Sequence, residues 1–228
     1  RIGFFRLKER QYDESGRSDV TEALDKALAF LIQLVLWLPP KIVSIGKACM
    51  SPLICYSDAE YTPGRPPRLG WVVFEQDGTI RAAGTALVRD HVQKVWIQRD
   101  TQIFAAEALA PSAAMDLAPE VFRGRYVVWF IDNEGACSTL VRGACTEEDI
   151  SGIAECTHLL VMELSVRVWW EWIDTHANPS DGLSRRGTDD RFLGSYTREF
   201  DLPLWHGMAF DAARLEAIRS RHRGNVGA

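Results

Sequence analysis

Two acids in this chain stand directly after apolar runs, and that pattern restricts the fold more than any other feature. Tyr126-Val127-Val128-Trp129-Phe130-Ile131 is unbroken and stops at Asp132. Pro52-Leu53-Ile54-Cys55-Tyr56-Ser57 is a shorter run that stops at Asp58. Short apolar runs bounded by polar residues read as strands buried in a sheet. Open mixed sheets place their ligand sites at the carboxyl ends of the strands. A single strand-end Asp is often only a turn or a cap. Two from neighbouring strands would lie close enough to repel, and a cation between them removes the conflict. Carboxylate oxygens are hard donors, so the expected ion is Mg2+ or Mn2+.

The remaining elements agree with a covered sheet. Leu69 to Phe74 and Ile80 to Leu87 flank Gln76-Asp77-Gly78, a hairpin signal. His91 to Ile97 reads as a short helical insertion. Thr101 to Leu117 carries Ile103, Ala106, Leu109 and Ala110 at helical spacing. A short helix after Asn133 closes at Gly143, and Glu147-Glu148-Asp149 open a longer one with acids at its positive end. Val166 to Ile173 is a strand rich in tryptophan, whose expected use is packing against helices. Pro179 to Ser184 starts a helix, and Phe210 to Arg221 forms a final amphipathic one. Upstream, Asp19 followed by Glu22 resembles a capping box. It opens an apolar helix that Pro39-Pro40 ends, and Ala27 to Leu38 is too short to span a membrane.

Composition sets the outer bounds. Hydrophobic residues make up 46% of the 228 and charged residues 25%, ordinary for a globular protein with a sizeable core. The net charge of -5 excludes a generally basic binder, so contact with phosphate backbones needs a local patch or metal ions. Five cysteines, at 49, 55, 137, 145 and 156, show no metal-type spacing. They are expected to be free thiols in an intracellular compartment, cytoplasm or nucleus. The chain begins at Arg1, as expected of a piece of a longer polypeptide.

Four motifs in order resemble the RNase H domain attached to reverse transcriptases of retroelements. They are Tyr56-Ser57-Asp58-Ala59, Gln102-Ile103-Phe104-Ala105-Ala106-Glu107-Ala108-Leu109, Trp129-Phe130-Ile131-Asp132-Asn133 and Asn178-Pro179-Ser180-Asp181-Gly182-Leu183-Ser184-Arg185. The last is similar to the family's N-x-A-D-x-L-S-R signature. The resemblance implies an α/β fold, a mixed five-stranded sheet flanked by helices. The domain would run over 49–187, with an N-terminal extension over 1–48 and a C-terminal appendage over 188–228. It implies a metal-dependent endonuclease that cuts the RNA strand of an RNA–DNA hybrid, beside an upstream reverse transcriptase domain. Asp58, Glu107, Asp132 and Asp181 would hold two Mg2+ or Mn2+ ions. One ion would activate water and the other would stabilise the departing 3′ oxygen. Glu107 could also reach the RNA 2′-hydroxyl.

Other residues are expected in smaller roles. His176 is a candidate for product release, against the plainer reading of a surface histidine. Asn133, Arg65, Arg68 and Arg185 are candidate nucleic-acid contacts. The arginines at 214, 219, 221 and 223 could hold phosphates or simply end a solvated helix. Two other functions fit part of the pattern. Asp58-Ala59-Glu60 with His176-x-x-x-x-Asp181 also fits a DEDD-type 3′-5′ exonuclease on a related fold, which leaves Glu107 without a task. A catalytically silent binding module would need no acids at these positions, and all of them are filled.

Overall fold

The computed structural model describes residues 22–37 and 51–223. The chain divides into two compact units, Arg1–Cys49 and Met50–Ala228. The first holds helix α1 (Glu22–Trp37), the apolar helix expected there. Its expected cap at Asp19 and its stop at Pro39-Pro40 lie outside the described residues.

The second unit is built on one sheet. Its strands are β1 (Leu53–Glu60), β2 (Arg68–Phe74), β3 (Ile80–Leu87), β4 (Tyr126–Ile131), β5 (Arg167–Trp172) and β6 (Thr197–Asp201). Their order is β5-β4-β1-β2-β3-β6. Strand β2 runs antiparallel to both β1 and β3, while β1–β4, β4–β5 and β3–β6 pair in parallel. The sheet therefore has six strands where five were expected. The sixth escaped notice because Thr-Arg-Glu-Phe-Asp carries one apolar residue and is an exposed edge. Residues 188–228, expected as an appendage, supply this strand to the main sheet.

Helices cover both faces. The helices α2 (Asp90–Gln93), α3 (Ile103–Leu117), α4 (Pro119–Phe122), α5 (Glu134–Arg142), α6 (Glu148–Glu163), α7 (Asp181–Arg186) and α8 (Ala212–Arg223) follow in chain order. Helix α3 packs on β1, β2, α5 and α6, and its face from Ala105 to Asp116 is buried. The core on that side holds Leu53, Cys55, Trp71, Trp129 and Ile131. Phe122 stacks on Trp129 with ring centroids 5.3 Å apart. On the opposite face α7 packs against β1 and β2. There Leu183 and Leu193 meet Val72 and Ala83. Of the β5 tryptophans expected to pack against helices, Trp170 is buried against Trp129, whereas Trp169 and Trp172 are 67% and 50% exposed on this edge strand.

The hairpin turn has the expected chemistry. Gly78 takes φ of 86°, a left-handed value that suits glycine, and its N–H donates to the Glu75 carbonyl at 3.0 Å. Among the described residues, no helix is long and apolar enough to cross a membrane.

Candidate metal centre

The register explains how the acids meet. Ser57 of β1 lies beside Ile131 of the parallel strand β4. The next residues along therefore lie side by side: Asp132 follows the end of β4, while Asp58, expected at a strand end, sits inside β1 opposite Gly70 because β1 runs on to Glu60 beside β2. Glu107 comes from α3, which crosses β1 and β2. Asp58, Glu107 and Asp132 each offer an oxygen within 4.8 Å of the others. Asp58 and Glu107 are buried, 5% and 4% exposed.

Asp181 stands apart from this cluster. It opens α7 and lines the same cleft, of about 390 Å3, as the other three acids. Its Oδ1 accepts from Arg185 Nε at 2.8 Å. The four expected acids thus share one cleft, three of them in close contact.

The electrostatics of the cluster are unfavourable without a cation. Burial pushes the Asp58 carboxyl up to about 6, and the charges of Asp132 and Asp181 add to that. Hydrogen bonds from Ser184 and Glu107 act the other way. Burial also holds Glu107 well above the usual carboxylate range, with the charges of Asp58 and Asp132 next in size. The contact between the two carboxyls lowers Asp58 and raises Glu107. Buried polar atoms are nearly always satisfied. Here Glu107 Oε2 and Asp132 Oδ1 are buried with no hydrogen-bond partner. Carboxylate oxygens gathered within 4.8 Å of one another suit a hard divalent ion.

The other expected residues fall in different places. Asn133 lines the cleft, and its side chain caps α5 by accepting from Ala136 N at 3.0 Å. Arg185 lines both this cleft and a second cavity of about 240 Å3, which Arg65 and Arg68 also line. Arg68 lies 3.9 Å from Glu199 of the unexpected sixth strand. His176 is exposed in the turn Thr175–Ala177, and Thr175 rather than His176 lines the cleft. Two of the C-terminal arginines are buried: Arg214 beneath Trp205 and Phe210, and Arg219 with its Nε 3.5 Å from Glu163. Arg221 is 43% exposed and donates to Asp116 at 2.7 Å.

Two residues of the fourth motif do work that the sequence did not assign. Buried Asn178 donates through Nδ2 to the Ser57 carbonyl at 3.1 Å, tying the approach to α7 onto β1. Buried Ser184 donates from its hydroxyl to Asp58 Oδ2. The motif was read for its acid, and a polar residue on the inner side of α7 was the available signal.

No family model matches the sequence, and no curated protein does either. Solved structures are similar in fold. The N-terminal RNase H domain of Rv2228c from Mycobacterium tuberculosis, solved as a fusion with maltose binding protein, is 18% identical with a TM-score of 0.49, over 60% of this chain and 93% of that one. RNase H1 from the halophilic archaeon Halobacterium salinarum NRC-1 is 22% identical with a TM-score of 0.48, over 60% of this chain and 98% of that one. A foamy viral protease-reverse transcriptase, solved in complex with an RNA/DNA hybrid, is 15% identical with a TM-score of 0.41, over 79% of this chain and 28% of that one. Met50–Ala228 carries a mixed six-stranded sheet with one reversed strand, flanked by helices, a fold similar to that of these RNase H structures.

Proposed function

We propose that the chain is a divalent-metal-dependent ribonuclease H that cuts the RNA strand of an RNA–DNA hybrid. The observation that carries this reading is the convergence of Asp58, Glu107 and Asp132 with two buried carboxylate oxygens left unpartnered. These three would hold one ion, and Asp58 with Asp181 a second, with Mg2+ or Mn2+ as the ions the donors suit. Bound ions would lower the pKa of a water so that it gives up a proton to solvent and attacks phosphorus as hydroxide, and would supply a charge to stabilise the departing 3′ oxygen.

The protein's own side chains then have definable tasks. Arg65, Arg68 and Arg185 gather positive charge beside the acids in a chain of net charge -5. They would seat the backbone phosphates of the hybrid and hold its scissile bond at the cleft. Asn133 caps α5 at the rim and would face the nucleic acid. Glu107 is long enough to sense the 2′-hydroxyl that separates RNA from DNA. The fourth motif supports a place downstream of a reverse transcriptase domain, whose surface would add to the grip of these arginines on the substrate.

One observation keeps the exonuclease in view, since Glu60 also lines the cleft. Glu107 inside the cluster and His176 outside it favour the endonuclease. A circular RNA annealed to DNA separates the two. Incubation of the full chain with Mn2+ should open the circle, and EDTA or Asp58→Asn should abolish opening. Cleavage of linear hybrids alone, inward from 3′ ends, would replace this reading with the exonuclease. Hybrid binding without any cleavage would replace it with the silent module.

A further inference from the structure

We infer that Ser184 is a positioning residue for the metal centre: its hydroxyl sets the orientation of the Asp58 carboxylate. The inference rests on the metal reading above and deepens it.

Ser184 is fully buried on α7, the helix that Asp181 opens. Its Oγ lies within hydrogen-bond reach of two acceptors, Asp58 Oδ2 and the Asp181 carbonyl, the latter at 2.9 Å. A hydroxyl carries one proton and serves one acceptor at a time. An ionised carboxylate accepts more strongly than a neutral carbonyl, so the proton goes to Asp58 when that group is charged.

The helix has little freedom to carry the hydroxyl elsewhere. A Cβ at Gly70, the β2 residue paired with Asp58, would lie 2.5 Å from Ser184 N. Glycine is what permits the helix backbone to rest on the strand there. Thr85 of β3 donates to the Leu69 carbonyl at 2.8 Å and lies 3.4 Å from the Leu183 carbonyl. Asn178 closes the other side, bonded to Ser57 and accepting from Ser180 N at 3.1 Å. Three strands therefore meet the segment that bears Ser184. Groups that hydrogen-bond a metal ligand fix its orientation, and their loss typically costs about 10- to 100-fold in metal affinity or activity.

The plainer reading is that Ser184 only bonds back to the first turn of its own helix, a common use of serine. The two readings differ in what Ser184→Ala changes. Titration of the full chain with Mn2+, followed by calorimetry or by the electron paramagnetic resonance of free Mn2+, gives the affinity without turnover. Positioning predicts a roughly tenfold weaker Mn2+ affinity in Ser184→Ala. The Mn2+ needed for half-maximal cleavage should rise in step, with KM for the hybrid unchanged. Ser184→Thr, which keeps the hydroxyl, should restore most of the affinity. Wild-type affinity in a folded Ser184→Ala protein overturns the inference and leaves the metal reading standing. Absence of Mn2+ binding by the wild type overturns both.

Discussion

Helix α3 carries two buried acids, Glu107 and Asp116, with opposite surroundings. Both are almost inaccessible, 4% and 0% exposed. Glu107 faces other carboxyls and keeps one oxygen without a partner. Asp116 is saturated: Oδ2 meets Trp205 Nε1 at 3.1 Å and His206 Nε2 at 3.2 Å, and Oδ1 meets Arg221 Nε and His222 Nε2, both at 2.7 Å. Burial raises both carboxyls. For Asp116 the bonds from His206 and His222 and the charge of Arg221 outweigh burial and hold it below the usual range. For Glu107 the neighbouring charges add to burial and hold it above. Depth in the core thus says little about an acid's purpose, and its partners say much. Asp116 fastens the segment from Trp205 to His222 to α3, whereas Glu107 is kept in a state that folding alone does not favour.

Substitution should separate the two most sharply. Asp116→Ala leaves the buried His206 and His222, the buried Trp205 indole and Arg221 without their acceptor. Leaving a buried donor without its acceptor costs about 1–3 kcal/mol, and three such donors are stranded here. That should lower Tm by roughly 10 °C in a domain of this size. Glu107→Gln removes a repulsion, so the metal-free protein should keep its Tm or gain a few degrees. Its hybrid cleavage should fall by more than about a hundredfold, beyond the usual cost of losing a supporting residue. Thermal melts and cleavage rates on the same two proteins check both halves. A Glu107→Gln protein that melts as low as Asp116→Ala would mean that both acids are structural.

The sequence revealed these two acids unequally, for physical reasons. Asp58 and Asp132 were legible because apolar runs predict strands, although Asp58 sits inside its strand rather than at its end. Glu107 was legible only through its motif, since a helical residue's destination depends on what the helix packs against. Asp116 went unread, because its partners lie 89 to 106 residues further along the chain and no local pattern links them to it. The sixth strand was hidden likewise: an edge strand needs no apolar alternation when its partner β3 supplies the buried surface. Ser184 and Gly70 meet only through the register of β1, β2 and α7, which no local pattern encodes.

A metal ion should reverse the disadvantage of the Glu107 region and leave the Asp116 region untouched. Asp58 is held up at about 6, above the roughly 3.9 of an unfolded Asp. Between those values the folded state binds more protons, so this group's contribution to metal-free stability falls as pH rises through the window. A cation needs the carboxylates ionised, so its affinity rises over the same range. Mg2+ or Mn2+ at about a hundred times Kd should therefore add about 2.7 kcal/mol at pH 8. Much less should be gained at pH 5. Melting curves with and without metal at the two pH values measure this, and Asp116→Ala should show the same increments. A metal increment that is equal at pH 5 and pH 8 would place the ion somewhere other than on these acids.

The smallest effect belongs to the Asp116 side and has the opposite sign. Burial holds His206 down at about 4, and its contact with Asp116 only partly offsets that. An unfolded histidine takes its proton near 6.5. Between about 4 and 6.5 the unfolded state therefore binds more protons, and this group's contribution to stability falls as pH drops through that window. One proton corresponds to about 1.4 kcal/mol per pH unit at most. His206→Gln removes the titrating ring, so its stability should decline less steeply between pH 6.5 and pH 5 than that of the wild type. Urea unfolding midpoints across this range, taken with EDTA present, read the two slopes without interference from the metal site. Equal slopes would mean that His206 is protonated as readily in the fold as in the open chain. The Asp116 hub would then be held by charge, and its contrast with Glu107 would widen to a fully ionised network against an unpaired cluster.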